Sequence, residues 1–497
     1  MHKTDQTMKK LYKIWLLSAL GALILSACTQ TIKTKGQISV DSLVSIKDGQ
    51  LVNNNLGFNF SVIAPDTNFA VPALQSTVSA FYNGLWVFMG GRKNGFHGKA
   101  NNPPPFKSTT ANDSIWVIDF ANKKTWGVPV PANYYFQLTA SNAAFCQSGT
   151  SLYFCGGFTR TDTGAKYSNT TSAYFFQLNL LKLVSYVQTG GNTPNFNQVV
   201  TKVIQSPFLQ VSGGEMLLDN GHFYLLGGQN YDKFYGAGYS GKYTNAIRKF
   251  DLVPTGSSWT IGNTINLADT VNLHRRDLNV MQYSYMGIDK ARIYGGVFTP
   301  QDCAYLHPIS ITGLAGGQPA ITVDSMTQYT NQYSSAKATL VFGANANLYI
   351  TAILGGITYE EYNSKTQKLQ IGDQGIQMPF SNLVSIIIKY RELPPIEYIQ
   401  TPTHDDPLMP GYIGANGTFI PLLQYMIGGH PGLLNGQKIV DQFNRQSKVL
   451  IGYIYGGIIS LGPTSGTNAQ GHVATYASAI VYQVYLNNKS AEKMTLP

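Results

Sequence analysis

Three arginines in polar, glycine-rich segments are the side chains of this sequence best suited to chemistry. Arg92 and Arg160 closely follow Gly-Gly pairs, and Arg275 lies in the segment HRRD before an apolar stretch. Guanidinium groups hold carboxylates through two parallel hydrogen bonds, so converging arginines would bind an acidic ligand. We therefore predict that all three bind ligand. For Arg275 the alternative is an ion pair, formed together with Arg276, to Asp277 or a neighbouring residue.

Tyrosines in the same kind of segment predict a second type of ligand contact. Tyr231, Tyr235 and Tyr359 all follow Gly-Gly pairs. An aromatic ring covers the apolar face of a sugar or peptide while its hydroxyl forms hydrogen bonds. Buried packing is the alternative for each tyrosine. Next to Tyr359, the carboxylate of Glu360 could act as a general base if burial raised its pKa.

The remaining polar residues form no recognisable catalytic or cofactor-binding set. The densest group is His404-Asp405-Asp406, but three successive side chains cannot converge on one ion without a tight loop, so a turn is predicted there. The other histidines are scattered singly, and the phosphate-binding pattern G-x-x-x-x-G-K-[ST] is absent from the sequence. We therefore predict no metal, no cofactor and no catalytic residue.

The composition predicts the elements that must position these residues. The chain has 497 residues, of which 43% are hydrophobic and only 12% charged, and it contains 50 Gly, 31 Tyr and 24 Phe. Aromatic residues favour strands and glycines favour tight turns, so an all-β protein is expected. The net charge of +10 comes without the basic clusters that neutralise phosphates, which argues against nucleic acid as a partner.

One phrase, an apolar strand running into a Gly-Gly pair, recurs six times. The pairs begin at Gly90, Gly156, Gly227, Gly295, Gly355 and Gly456. A further apolar strand precedes each phrase, and the first four intervals leave room for two more strands after the glycines. A four-stranded sheet cannot bury both apolar faces alone, so such units must stack around an axis. Paired glycines suit places where the chain passes close to neighbouring backbone.

These features resemble the Kelch repeat, in which apolar residues and a Gly-Gly pair are followed by a spaced Tyr or Trp. Residues 75–487 carry the resemblance, and the best match is the unit with Asn112-Asp113, Trp116 and Trp126. The resemblance implies a Kelch-like β-propeller with four antiparallel strands per blade. Six blades are predicted, and seven stay open because Gly428-Gly429 is a further pair. Residues 37–74 could add a strand that closes the ring.

The resemblance also implies a binding face and two kinds of enzyme. In Kelch-like propellers the loops after the Gly-Gly pairs open on the usual binding face, where the candidate arginines and tyrosines would lie. Some members are copper radical oxidases, which need a Cys-linked Tyr that no cysteine here is well placed to form. Others are sialic-acid mutarotases, which need an acid and a base near the axis. Glu215 or Glu360, with Arg160, could mimic that pair.

The N-terminal sequence predicts that the protein is located at a membrane. Residues 8–28 combine a basic start, an apolar run from Ile14 to Leu25 and small residues before Cys28, as in a secretory signal. The apolar run is too short to cross a bilayer. Its ending, LSAC, resembles the bacterial lipobox, which implies that Cys28 carries lipid and begins the mature chain. Thr29, standing where an inner-membrane signal has Asp, favours the outer membrane.

The predicted domains are therefore a lipoprotein signal peptide over residues 1–27, a lipidated tether over 28–36 and a single propeller over 37–497. Within the propeller, Cys146 and Cys155 end two strands of a hairpin, and either a disulfide or two free thiols is possible. Free thiols are favoured, and Cys303 has no evident partner.

Together these patterns predict an envelope lipoprotein, anchored to the membrane by its N-terminal lipid, that binds a glycan or an extracellular protein. A sugar epimerase or mutarotase is the first alternative, and a structural partner in an outer-membrane assembly is the second. The sequence leaves the leaflet, the ligand and the oligomeric state open.

Overall fold

Short antiparallel strands build almost the whole chain. The computed structural model describes residues 44–47, 50–64, 69–96, 108–162, 167–232, 241–285, 288–301, 303–343, 346–363, 368–371, 378–400, 409–428, 430–463 and 475–488. Strand accounts for 53% and helix for 11%, so the protein is all-β, as the composition predicts. Residues 40–497 form one compact unit.

The first part of the chain forms a hairpin and sheet 1. The strands are β1 (Val44–Lys47), β2 (Gln50–Leu56), β3 (Asn59–Ile63), β4 (Val78–Tyr82), β5 (Leu85–Met89), β6 (Ser114–Asp119) and β7 (Lys124–Pro129). Sheet 1 has the order β4-β5-β6-β7. Its first hairpin turns at Asn83-Gly84, with φ of 49° and 85°, because Asn and Gly tolerate the left-handed turn that matches the strand twist.

Sheets 2 and 3 repeat the same order, each with a small extra hairpin. Sheet 2 contains β8 (Ala144–Ser148), β9 (Ser151–Cys155), β12 (Tyr174–Asn179) and β13 (Val200–Gln205), and its extra hairpin is β10 (Phe158–Asp162) with β11 (Tyr167–Thr171). Sheet 3 contains β14 (Glu215–Asp219), β15 (His222–Leu226), β18 (Ala246–Thr255) and β19 (Ser258–Ala268), and its extra hairpin is β16 (Gln229–Asn230) with β17 (Lys242–Tyr243).

Sheets 4 and 5 follow in chain order. Sheet 4 contains β20 (Asn279–Tyr285), β21 (Ile288–Tyr294), β22 (Ile309–Thr312) and β23 (Ala320–Val323). Sheet 5 contains β24 (Ala336–Phe342), β25 (Leu348–Ile357), β28 (Phe380–Tyr390) and β29 (Ile396–Gln400), beside the hairpin β26 (Glu360–Asn363) with β27 (Lys368–Ile371).

The last sheet joins strands from both ends of the described chain. The remaining strands are β30 (Tyr412–Ala415), β31 (Thr418–Pro421), β32 (Met426–Ile427), β33 (His430–Asn435), β34 (Lys448–Tyr455), β35 (Ile458–Ser460), β36 (Thr475–Ala477) and β37 (Val481–Asn487). Sheet 6 has the order β31-β34-β37-β3, so the early strand β3 lies antiparallel to β37. The strands around Gly428, β32 and β33, extend sheet 5, where β33 runs parallel to β24.

Short helices interrupt this pattern. They are α1 (Tyr135–Leu138), α2 (Leu180–Gln188), α3 (Phe196–Val199) and α4 (Gly436–Val440). Asn179 caps α2 by accepting a hydrogen bond from the backbone N–H of Lys182 at 3.0 Å, as N-cap residues do. Tyr186 lies on α2 and is buried between sheets 1 and 2.

Apolar layers fill the spaces between consecutive sheets. Sheet 1 contacts sheet 2 through residues such as Val87 and Phe154, and sheet 2 contacts sheet 3 through Phe175 and Phe223. Similar layers lie between sheets 3 and 4, and between sheets 4 and 5. A further layer joins sheet 6 to sheet 1, where the rings of Tyr455 and Phe88 are 4.7 Å apart. Burying one such side chain stabilises the fold by about 1.5–3 kcal/mol.

The Gly-Gly pairs lie at the contacts between consecutive sheets. The backbone N–H of Gly91 donates to the carbonyl of Ala140, which precedes sheet 2, at 3.0 Å. Equivalent bonds run from Gly157 to Val211, Gly228 to Arg275, Gly296 to Gln332 and Gly457 to Leu74. A Cβ on Gly90 would clash with the carbonyl oxygen of Ala140, and Gly90 has φ of 62°. Only glycine allows this close approach.

Candidate functional site

Six short segments, one before the first strand of each sheet, are joined by hydrogen bonds. These strands are β4, β8, β14, β20, β24 and β31, and the residues two positions before them are, in the same order, Ser76, Asn142, Gly213, Asp277, Ser334 and Asn416. The backbone N–H of each donates to the carbonyl of the one before, over five bonds of 2.6–3.1 Å. The sixth link uses side chains, since Asn416 Nδ2 donates to Ser76 Oγ at 3.0 Å. We call these six residues the axial ring.

The strand pattern explains why other side chains gather beside the axial ring. The residue before each ring position pairs with the residue that follows a Gly-Gly pair. Gln75 bridges Arg92, Ser212 bridges Gln229 and Arg276 bridges Val297. Ser141 bridges Phe158 and Ala415 bridges Ile458 in the same way, and in sheet 5 the Tyr333 N–H donates to the Ile357 carbonyl at 3.1 Å. Side chains distant in sequence are therefore brought to one side of the ring.

On this side of the ring lies a cavity of about 40 Å³. Its polar lining includes Gln75, Arg92, Gln229, Tyr231, Arg276 and Tyr333, supplied by segments of sheets 1, 3, 4 and 5. We call it the arginine cavity. Two guanidinium groups, two amides and two phenols beside one small space can bind a carboxylate and adjacent hydroxyls.

Arg276 and Asp277 form the charged centre of this region. Arg276 Nη1 lies 3.5 Å from Asp277 Oδ2, and only 13% and 2% of the two side chains are exposed. Burial works to lower the pKa of Arg276, but the Asp277 carboxylate and nearby tyrosines raise it well above its usual value. Burial raises the pKa of Asp277, against the opposing effects of Arg276 and of a hydrogen bond from Tyr333. The pair therefore keeps the guanidinium charged beside the cavity.

Two residues predicted from the sequence also line the arginine cavity. Arg92 is buried, and its Nε donates to Asn94 Oδ1 at 3.0 Å while Nη2 donates to the Thr110 hydroxyl. Tyr231 is buried as well, and its hydroxyl accepts a hydrogen bond from Gln229 Nε2 at 2.8 Å. Their neighbours therefore orient the Arg92 guanidinium and the Tyr231 hydroxyl.

Arg275 lies elsewhere, with 1% of its surface exposed. Its Nε, Nη1 and Nη2 donate to the carbonyls of Asn272, Gly295 and His307 at 2.5, 2.8 and 3.0 Å. The guanidinium also covers the ring of Tyr305 at 4.2 Å. Arg275 therefore holds backbone segments together, and the ion pair considered from the sequence is made by Arg276.

The other predicted residues are not brought to this cavity in the described part of the chain. Arg160 lies on β10 opposite Asn169, and its side chain is outside the described residues, as are Cys28, Tyr235 and the segment His404-Asp405-Asp406. Tyr359 is half-buried, and its backbone N–H donates to Gln332 Oε1 at 2.8 Å. Burial raises the pKa of Tyr359, and the Cys303 thiol forms a hydrogen bond with its hydroxyl.

The three cysteines of the described chain are free. Cys146 pairs with Tyr153 in the hairpin, whereas Cys155 pairs with Ala144, so the two thiols are diagonal neighbours. Burial raises the pKa of both thiols. Among the described residues, no three His, Cys, Asp or Glu side chains are grouped to hold a metal ion. No helix in that part of the chain has the length and apolarity needed to cross a membrane.

A larger cavity of about 340 Å³ lies against the other side of the axial ring. The first strands of the sheets line it, and we call it the channel cavity. Its charged lining residues are Glu215 on β14, Lys337 on β24 and Asp277 of the ring. Burial raises the pKa of Glu215, with Lys337 acting in the opposite direction and Asp277 in the same direction.

Sequence reasoning missed most of this site. Arg276, Tyr333 and Lys337 were not proposed as ligand contacts, and Asp277 was considered only as a partner for arginine. A signal did exist, since a small polar residue or glycine stands two positions before the first strand of all six sheets. That regularity marks the axial ring but does not reveal which neighbouring side chains face a cavity.

Comparisons with known proteins add little. No family model matches the chain, and no curated protein matches it. Among solved structures, one titled "Structure of YjhT" superposes with a TM-score of 0.45 at 12% identity, covering 80% of this chain and 94% of that chain. A likeness at this level assigns neither fold nor function.

Proposed function

We propose that the six sheets are blades of a closed Kelch-like β-propeller, and that the protein is an outer-membrane lipoprotein that binds an acidic glycan. Three observations support closure. The axial ring links all six segments, β3 pairs with β37, and the Gly457 N–H donates to the Leu74 carbonyl at 2.8 Å. Closed rings remove exposed sheet faces, which is why propellers are stable.

The observation that carries the binding proposal is the meeting of Arg92 and Arg276 in the arginine cavity. Two guanidinium groups line this small space, so it suits an anionic group that accepts hydrogen bonds from both. Its volume of about 40 Å³ suits a carboxylate and little more. A ligand would insert an acidic terminus there and lay its remaining rings over the surrounding surface. Sugar acids combine such a carboxylate with hydroxyls for Gln75 and Gln229.

The membrane anchor in this proposal rests on the sequence. The signal before Cys28 and its resemblance to the lipobox support lipid attachment, and Thr29 supports the outer membrane. Several acyl chains would hold the protein at a bilayer without any transmembrane helix. The domain after the tether would then be free to meet ligands in the envelope or outside it.

A glycan array probed with the chain lacking residues 1–28 tests the proposal. We expect binding to glycans that end in a carboxylate and not to their neutral counterparts. Arg92→Ala should weaken this binding at least about tenfold, because a bidentate pair is lost. Arg445→Ala, at an exposed site, is the matched control. If no glycan binds and one stoichiometric protein is recovered from membranes, the ligand is a protein in an envelope assembly instead.

A sugar epimerase or mutarotase is the second candidate, and Asp277 favours it. Mutarotation needs proton transfer to and from the sugar. The Asp277 carboxyl group, whose pKa is raised by burial and which is hydrogen-bonded to Tyr333, lies next to Arg276 of the arginine cavity and could exchange a proton with a bound sugar. NMR of freshly dissolved sugar acids would show faster anomer exchange with the protein, and Asp277→Asn would abolish the acceleration. An unchanged exchange rate with bound sugar would leave binding as the function.

A further inference from the structure

The channel cavity differs from the arginine cavity because its two outer charges have no hydrogen-bond or ion-pair partner among the described residues. Glu215 and Lys337 are half-buried and both line the cavity. Within the described part of the chain, neither side chain forms a hydrogen bond or an ion pair within 4 Å. Other carboxylates among the described residues are held by neighbours. Asp251, for example, accepts from Lys249 Nζ at 2.8 Å and lies 2.7 Å from His222 Nδ1.

The positions of the two charges follow from the sheets that carry them. Glu215 begins β14 in sheet 3, and Lys337 is the second residue of β24 in sheet 5. Sheet 4 lies between them along the chain, and its ring residue Asp277 also lines the cavity. Asp277 is already paired with Arg276, so it competes weakly for a cation. The cavity therefore presents one free carboxylate and one free ammonium, separated by more than an ion-pair distance.

A cavity with opposite charges on its walls favours a solute that carries both. Each charge alone is costly to bury without a partner, and a zwitterion supplies both partners at once. The volume of about 340 Å³ is at the lower end of the range for small-molecule sites. The hydroxyls of Ser79 and Thr418 also line the cavity and can bind polar atoms of such a solute.

We infer that the channel cavity is a second binding site, which takes a small zwitterion such as a free α-amino acid, with its ammonium at Glu215 and its carboxylate at Lys337. This site lies on the opposite side of the axial ring from the arginine cavity. The inference does not depend on the glycan proposal, because the two cavities are lined by different charged side chains.

Calorimetric titration of the full chain in detergent tests the inference. The probes are glycine, L-serine and L-leucine, and the matched controls are acetate, methylammonium and N-acetylglycine amide, which carry one charge or none. We expect at least one amino acid to bind and all three controls to bind at least about tenfold more weakly.

Two charge variants and one steric variant locate the site. Lys337→Met and Glu215→Gln should each weaken amino-acid binding at least about tenfold, whereas Lys124→Met, at an exposed lysine of β7, should not. Gly432 lies at the cavity with nothing within 4 Å of an added Cβ, so Gly432→Phe should fold and obstruct the opening. Circular dichroism melting of each variant separates lost binding from lost structure.

The outcomes separate this site from the arginine cavity. Arg92→Ala should leave amino-acid binding unchanged, and Lys337→Met should leave glycan binding unchanged. The inference is overturned if no amino acid binds the folded wild-type chain at 10 mM, which is about ten times the dissociation constant of a site with millimolar affinity. It is also overturned if folded Lys337→Met and Glu215→Gln bind amino acids as the wild type does.

Discussion

Buried polar groups are arranged differently at the contacts between sheets and along the axis. Where sheets meet, Arg275 gives three donors to backbone carbonyls, and Glu397 accepts from Tyr329, Thr330 and Ser385. Along the axis, Glu215 and Lys337 face a cavity without partners among the described residues. Because a buried charge without a partner is costly, complete partner sets indicate architecture, and incomplete ones beside a cavity indicate a site.

Arg275→Ala should give the largest loss of stability. The substitution leaves the carbonyls of Asn272, Gly295 and His307 without their donors and opens a space beside Tyr305. We expect the free energy of unfolding to fall by about 4 kcal/mol, measured by urea denaturation. Arg445→Ala, at an exposed position, should change it by no more than about 0.5 kcal/mol. A loss below about 1 kcal/mol for Arg275→Ala would contradict the architectural role.

Gly156→Ala should give the second-largest loss of stability, because it tests the close approach of neighbouring sheets. A Cβ at Gly156 would clash with the carbonyl of Val211, and φ is 67°. Gly149→Ala is the matched control, since φ is 53° there but no atom lies within 4 Å of the added Cβ. We expect the free energy of unfolding in urea to fall by about 3 kcal/mol for Gly156→Ala and by about 1 kcal/mol for Gly149→Ala. Equal losses would show that backbone conformation alone requires these glycines.

Much of the fold follows from the sequence, for identifiable reasons. The Gly-Gly pairs and the apolar runs predict short strands, and YNG and DNG predict the turns at Asn83 and Asn220, where φ is 49° and 46°. The secondary structure of the segment after Asn179, LLKLVSYVQ, is harder to predict, because an apolar run of this length suits a strand or a helix. The helix α2 depends on its N-cap and on its burial against sheet 1. Local patterns decide the elements, and packing decides the exceptions.

The site was less predictable, because neighbouring residues in an extended chain face opposite ways. Arg275 and Arg276 are adjacent, yet only Arg276 lines the arginine cavity. The sequence named Arg275 as a ligand contact, with an ion pair as the alternative, and could not fix which of the two arginines faces inward. Glu215 and Lys337 are far apart in sequence, so their shared cavity depends on sheet order that no local pattern contains.

Glu397 should make stability depend on pH at the contact between sheets. Burial raises the pKa of Glu397 to about 7 from 4.5, against the hydrogen bonds from Ser385, Tyr329 and Thr330. The folded state therefore binds this proton more tightly, so its contribution is complete below pH 4.5 and is lost as the pH rises to about 7. The loss is at most about 3 kcal/mol.

Glu397→Gln isolates this effect from other titrating groups. Urea denaturation of both proteins should show the wild-type free energy of unfolding, relative to the variant, falling by about 2–3 kcal/mol between roughly pH 5 and 8. A difference that stays constant over this range would show that Glu397 is ionised in the folded protein throughout, and that its partners outweigh its burial.

Asn416→Gly should give the smallest effect and sharpen the contrast with the sheet contacts. Asn416 has φ of 52°, which glycine adopts without strain. The variant therefore removes the side-chain link to Ser76 at 3.0 Å and the side-chain hydrogen bond with Tyr333. The apolar layer between sheets 6 and 1 remains, with Tyr455 against Phe88. We expect a loss of about 1 kcal/mol in urea denaturation. A loss as large as that of Gly156→Ala would mean that the axial ring, and not the packing between sheets, holds the first and last sheets together.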